Sequence, residues 1–198
     1  MEALGERILA RHPVVHLLLN NAGMPARGTY LTVDLDLVER VMDVNYLGGV
    51  RCTRALMPGL EAAGRAGGAH VVNLVSVAGS VAFAPAGAYA ASKHAQLAYS
   101  RSLDAALRGT GITVHSVLPG FVETEGFPQK GVLKSRLLGR FVIYPPRVAE
   151  AIVDAIEKGK REVTVPWFPY RLVAILQVLA PGLVARLVGK SDYRRLSV

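Results

Sequence analysis

Cysteine is nearly missing from this sequence: its 198 residues include one, Cys52, so no internal disulfide can form. Cys52 sits in an apolar helical stretch and reads as a buried, reduced thiol, with a cytoplasmic setting as the default expectation. Carboxylates are also few, 15 against 23 lysines and arginines, which leaves a formal charge of +8 and a pI near 9.9. The arginines are scattered from Arg7 to Arg195 with no basic run interleaved with aromatics, so no nucleic-acid partner is expected. The excess charge suits a solvated surface, an anionic lipid surface or phosphate-bearing ligands. No apolar run reaches the ~20 residues that a spanning helix needs. The start, with Glu2, Glu6, Arg7 and Arg11, lacks the basic segment and apolar block of a secretion signal. His12, His16, His70, His94 and His115 show no metal-ligand spacing, which speaks against a metal site. No Gly-x-Gly-x-x-Gly follows a predicted strand: Gly64, Gly67 and Gly68 precede one, and Gly109 and Gly111 link a helix to one.

What is present is a folded chain. Apolar residues make up 51% and charged residues 19%, which excludes disorder, and the length fits one domain with a substantial core. Val14 to Leu19 is a short apolar run suited to a strand buried on both faces. Asp34 can cap a helix with apolar residues Leu37, Val38, Val41 and Met42 at helical spacing, kinked near Gly48-Gly49 and running toward Leu60. His70 to Val75 predicts the next strand, and a loop through Pro85 leads to a helix ending near Leu107. Ile112 to Leu118 is a strand, Pro145-Pro146 opens a helix closed by Gly159, and Glu162 to Pro166 is a last strand. Strands alternating with helices imply right-handed crossovers and a parallel sheet, an α/β fold. Ligands bind such sheets at the carboxyl ends of the strands. Asn20 to Gly23, Ser76 and Pro119 to Thr124 all follow strand runs, so they converge on one edge of the sheet.

Tyr89 and Lys93 stand four residues apart, hence on one helix face, and Ser76 lies thirteen residues upstream. A phenol titrates near ~10, and a neighbouring ammonium favours its anion and draws that value toward neutrality. A nearby hydroxyl can hold a substrate oxygen. This is equipment for moving a proton to or from an alcohol or ketone. A lone Tyr-x-x-x-Lys is weak, since most such pairs are helix-surface neighbours. Here it is accompanied by Asn20-Asn21-Ala22-Gly23, Val44-Asn45-Tyr46-Leu47-Gly48, Asn73-Leu74-Val75-Ser76-Val77-Ala78-Gly79 and Pro119-Gly120-Phe121-Val122-Glu123-Thr124. In this order and spacing, from residue 3 to about 167, the chain resembles the short-chain dehydrogenase/reductase family.

The resemblance implies a Rossmann-like doubly wound parallel sheet and an NAD- or NADP-dependent oxidoreductase. It makes Tyr89 the general acid/base and Lys93 its activator and the ligand of the cofactor ribose. Ser76 becomes the holder of the substrate oxygen, and Asn45 the anchor of a water leading from Lys93. Asn20, Ala22 and Gly23 would lie beside the adenine and ribose. Pro119, Gly120, Val122 and Thr124 would lie at the nicotinamide, with Thr124 on its carboxamide and Val122 against the ring. Relatives also associate through the helices carrying Asn45 and Tyr89, so a homo-oligomer is open. The family's opening strand, glycine-rich turn and helix have no counterpart here. The fold is therefore expected to be amino-terminally truncated, with a late start of the gene model favoured over a truncated product. NAD and NADP cannot be told apart, because the residues that choose between them lie in that missing part.

Residues 1–167 thus read as a partial dinucleotide-binding and catalytic domain, and 168–198 as an apolar, basic helical extension. In the extension, Leu172 to Leu179 and Leu183 to Val188 form two apolar stretches beside Arg171, Arg186, Lys190, Arg194 and Arg195. They suit two helices covering the cleft or an oligomer contact; they also suit a membrane surface. An apolar segment here suggests an apolar alcohol or ketone as substrate. The alternative is an inactive fragment or interaction module of the same fold, whose first strand would expose an unpaired edge.

Overall fold

The computed structural model describes residues 1–28, 31–82, 86–126, 128–134 and 138–190. The expected loop at Pro85 and the basic residues Arg194 and Arg195 lie outside them, as do the side chains of Leu187, Val188 and Lys190. A helix α1 (Glu2–Arg11) precedes strand β1 (Leu17–Asn20). Asp34 caps α2 (Leu35–Met42) as expected, its carboxylate accepting from the Asp36 N–H at 3.0 Å. The helix then widens into one π turn, Asp43–Leu47, closed by Gly48 N donating to Asp43 O, before α3 (Gly48–Ala66). Next come β2 (Ala69–Leu74), α4 (Gly87–Ala106) and β3 (Ile112–Pro119). A short α5 (Lys130–Lys134) leads to α6 (Pro145–Glu157), begun by its two prolines, and to β4 (Glu162–Val165). Two further helices follow, α7 (Tyr170–Leu179) and α8 (Pro181–Lys190).

The four strands form one parallel sheet in the order β1-β2-β3-β4. Period-two alternation sends Val71, Ile112 and Val114 to one face, where Leu60 and Ala63 of α3, Leu103 of α4 and Leu107 just past its end cover them. Val72 and Val117 point to the other face, against Ala151, Ile152 and Ile156 of α6. Helices on both faces make the sheet doubly wound.

Two expectations need correction. Each crossover steps one strand in the same direction, yet α3 and α4 lie on one face and α6 on the other. The third crossover therefore has the opposite hand to the first two, so right-handed connections do not hold throughout. The long excursion from Gly120 to Tyr144 lets the chain reach the far face. The first strand, expected to be buried on both faces, is covered on one: Leu17 is 50% and Leu19 43% exposed. Cys52 is free but half-buried rather than buried.

A polar ladder crosses the core on the face that carries α3 and α4. Asn20, Asn73 and Ser116 are register partners on adjacent strands. The Asn20 amide donates to Asn73 Oδ1 at 2.9 Å and to Thr53 Oγ1 at 3.2 Å. Asn73 donates to Ser100 Oγ at 2.9 Å, and Ser100 and Ser116 share a bond of 2.7 Å. Each of these side chains is buried, and leaving one member unpaired would cost about 1–3 kcal/mol. The ladder fixes the strands in register just below their carboxyl ends.

Candidate active site

The strand ends β1, β2 and β3 open onto a cavity of about 490 Å³. Ser76, Tyr89, Lys93, Gly23, Pro119, Gly120, Val122 and Thr124 all stand in its wall, so most of the residues singled out from the sequence meet there. Asn20 and Ala22 do not: Asn20 is engaged in the ladder, and Asn21 and Met24 take the wall positions instead.

Tyr89 and Lys93 share a face of α4, and the Lys93 ammonium lies 5.8 Å from the centroid of the Tyr89 ring. The same ammonium donates to Leu74 O at 2.9 Å and to Gln96 Oε1 at 2.8 Å. Lys93 is only 4% exposed, and this burial lowers its pKa from 10.5 to about 7. The sequence suggested a fixed positive charge; the structure gives one that titrates near neutrality unless further acceptors or an anion stabilise it.

Ser76 follows β2 as the cap of a short 3-10 turn, Val77–Gly79. Its hydroxyl oxygen accepts from Ala78 N at 3.1 Å and its proton points to Pro119 O at 3.4 Å, a long bond that a better acceptor could displace. Gly79 must be glycine, since a methyl there would stand 2.7 Å from both Lys93 O and Val75 Cγ1. That contact presses the turn carrying Ser76 onto the helix carrying Lys93.

Asn45 lies behind the wall, in the π turn. Its Oδ1 accepts from Met24 N at 2.8 Å, and its amide donates to Met24 O and to Ser92 Oγ, each at 3.0 Å. Ser92 in turn donates to Tyr89 O at 2.8 Å. Asn45 thereby ties the loop after β1 to the tyrosine helix, and its side chain is held by these bonds. A methyl on Gly23 would stand 3.5 Å from Asn45 Oδ1 and 3.7 Å from Lys93 Nζ, so this glycine lets the loop pass close to both groups.

Loop 120–124 is pinned by Glu123 N to Ile143 O and Ile143 N to Phe121 O, both at 2.9 Å. Tyr170, the first residue of α7, lies flat against Gly120; its hydroxyl donates to Phe141 O at 3.1 Å and accepts from Phe121 N at 3.4 Å. Burial pushes the Tyr170 phenol up to about 12, which suits a structural role. Asn21 belongs to the segment Asn20 to Gly23 that the sequence set at this edge, whereas Met24, Ser92, Gln96 and Tyr170 were missed. Of these only Gln96, three residues after Lys93 on the same helix, carried a readable signal.

The arrangement joins a phenol, an ammonium and a hydroxyl at the strand ends of a parallel sheet, with the loops of three strands closing over them. Residues 1–131 match the family model described as short chain dehydrogenase. The chain belongs to the short-chain dehydrogenase/reductase family. Dehydrogenase/reductase SDR family member 7B of Mus musculus is 32% identical over 196 residues, which are 94% of this chain and 59% of that protein. The chain therefore spans about three fifths of that relative's length. Among solved structures, a short chain dehydrogenase from Burkholderia cenocepacia in complex with NADP superposes with a TM-score of 0.79 at 26% identity, covering 95% of this chain and 74% of that one. A family member from Burkholderia phymatum in complex with NAD gives 0.77 at 26% identity, covering 92% and 72%. Among the described residues no group of three ligating side chains could hold a metal; His70 and His115 bond to each other at 3.0 Å.

Proposed function

We propose that this chain carries the catalytic half of an NAD- or NADP-dependent oxidoreductase for an apolar alcohol or ketone. The observation that carries the reading is the meeting of Ser76, Tyr89 and Lys93 in one cavity wall at the strand ends. The cavity is of a size that takes a nicotinamide riboside with a small substrate group. Gly23 leaves open the approach to Lys93, as a ribose would require, and Pro119, Gly120, Val122 and Thr124 wall the far side. These residues fit the nicotinamide half of the cofactor. The chain has no glycine-rich turn for the pyrophosphate.

When bound, the cofactor supplies or accepts the hydride. The protein's own work is to hold and move the proton. Ser76 turns its hydroxyl from Pro119 O to the substrate oxygen. Tyr89 donates its phenolic proton to the carbonyl during reduction and removes it from the alcohol during oxidation. Lys93, when charged, favours the phenolate between turnovers. Phe121, Val122, Ile152 and Tyr170 add apolar wall, which supports a hydrophobic substrate.

Purified protein supplied with NADH or NADPH and hydrophobic ketones tests this reading. Tyr89→Phe is expected to lower turnover about 10²–10⁴-fold while cofactor affinity stays within about twofold. Undiminished turnover in Tyr89→Phe refutes the mechanism.

A second reading rests on the edge of β1. Among the described residues no strand pairs with its outer side, and Leu17 and Leu19 stand open beside it. The same fold could then serve as a module completed by another polypeptide segment. Calorimetric titration separates the two: NADH or NADPH binding at micromolar concentration supports the enzyme, and no heat up to millimolar cofactor supports the module.

A further inference from the structure

Helices α7 and α8 bury Tyr170 and Val184 against Val77 and Val81, but among the described residues their other side stays exposed. Leu172, Ile175 and Leu179 recur at helical spacing and are all exposed, Leu179 to 77%. Trp167 and Phe168, at the entrance to α7, are each more than half exposed, and Leu183 extends the patch onto α8. A monomer rarely leaves such a continuous apolar surface without a use for it.

The charges say what that use is. Between Glu162 and Asp192 the sequence has no carboxylate at all, while Arg171, Arg186 and Lys190 fall inside the interval. Arg171 is engaged, donating to Glu162 Oε1 at 2.6 Å, which anchors α7 to β4 and α4 through the Arg101–Glu162 pair. Arg186 is exposed. A self-complementary contact would set like charges facing one another with no acid to relieve them. An anionic bilayer supplies the missing negative charge and accepts the apolar stripe. Each helix has ten residues and is too short to cross a membrane, so the only lipid geometry open to it is flat in the interface.

We propose that the α7–α8 face docks on anionic lipid bilayers, with Trp167, Phe168 and the Leu172–Ile175–Leu179 stripe at the acyl boundary and Arg186 at the headgroups. The docking face and the cavity share an element, because Tyr170 of α7 stands in the cavity wall. An apolar substrate dissolved in the bilayer would then have a short route to the site. The docking itself holds whether or not the cavity reduces a ketone.

The chain carries its own reporter, since Trp167 is its one tryptophan. With phosphatidylcholine–phosphatidylserine vesicles, the full chain is expected to co-sediment and its emission to shift to the blue, with quenching by brominated acyl chains. Ile175→Glu/Leu179→Glu changes exposed positions only; it should reduce partitioning at least tenfold while leaving the thermal melt unchanged. Arg186→Gln should weaken it about fivefold, one basic side chain's share of the headgroup attraction. Equal binding to pure phosphatidylcholine vesicles, or emission that no vesicle alters, overturns the proposal. So does a dimer in sedimentation equilibrium that Ile175→Glu/Leu179→Glu dissolves, because the face is then occupied by a second copy.

Discussion

Replacing Lys93 by methionine isolates the energetics of the site. Methionine matches the unbranched stem, keeps helix propensity and removes the charge. In the wild type, burial lowers the ammonium from 10.5 to about 7. At about 1.4 kcal/mol per pH unit, that gap corresponds to a folding penalty on the order of 4–5 kcal/mol wherever both states are protonated. The sign follows from proton counting. Between about pH 7 and pH 10.5 the unfolded chain holds the lysine proton and the folded chain has released it. Wild-type stability therefore rises with pH through this window, and the penalty is present in full below it. Lys93→Met escapes the penalty but leaves Leu74 O and Gln96 Oε1 without their donor, a loss of about 1–3 kcal/mol at any pH. The variant should be the more stable protein at pH 6, by a few kcal/mol, and the less stable one near pH 10. Urea unfolding followed by circular dichroism, run on both proteins at intervals across this range, reads the crossing directly. A 1 kcal/mol difference moves the melting temperature of a chain this size by about 2–4 °C, so the reversal is also visible in thermal melts. A difference between the two proteins that stays constant within about 1 kcal/mol from pH 6 to pH 10 refutes the buried, titrating ammonium.

Gly120→Ala drives a methyl into the Tyr170 ring, and overpacking of this kind costs about 1–3 kcal/mol or more. A lowered melting temperature is expected, and an unchanged melt would mean that α7 is not seated on this loop. His115 is fully buried, with Nδ1 2.7 Å from Lys160 O, so Nδ1 carries the proton and Nε2 accepts from His70. Burial is the main cause that lowers the His115 pKa below 6.5. Its contribution to stability is then present above pH 6.5 and lost as the pH falls toward the folded value. His115→Phe should flatten the acid slope of stability, whereas an imidazole proton resonance titrating at or above 6.5 would contradict the assignment.

The parts of the fold that the sequence made legible are those set by local chemistry. The Asp34 carboxylate caps its helix, two prolines open α6, and four-residue spacing brings Tyr89 and Lys93 to one face. Each of these rests on neighbours within a turn or two. The features that were not legible depend on partners far along the chain. The resemblance set Asn20 beside the adenine and ribose and in support of the central sheet, but its neighbours in sequence did not reveal the partners of its side chain, Thr53 and Asn73, dozens of residues away. The resemblance set Gly120 at the nicotinamide, and nothing near it in sequence showed that a ring fifty residues downstream also requires the glycine. The Lys93 charge looked fixed because its spacing from Tyr89 says nothing about how deeply both are buried. The π turn at Asn45 replaced a kink expected a few residues later, since tertiary bonds from Met24 and Ser92 place that amide.

The position of the site follows from one row of the sheet. Asn20, Asn73 and Ser116 are aligned by backbone register and joined through Ser100, which sets the height at which three strands end. The chain leaves that row and delivers Gly23 and Ser76 three residues later and Gly120 four residues later, all into one cavity wall. A slip of one residue in either pairing would turn Asn20 or Ser116 to the opposite face, and the ladder would be left with buried donors lacking acceptors. Register is thus guarded by groups that touch neither substrate nor cofactor, and the wall residues inherit their alignment from it. The same logic explains why Asn45 is buried behind the cavity: its three bonds give the loop at Met24 and the helix of Tyr89 one common reference. The proton-handling groups can then sit on rigid elements, while the Ser76 hydroxyl, on a long bond to Pro119 O, is left easy to reorient.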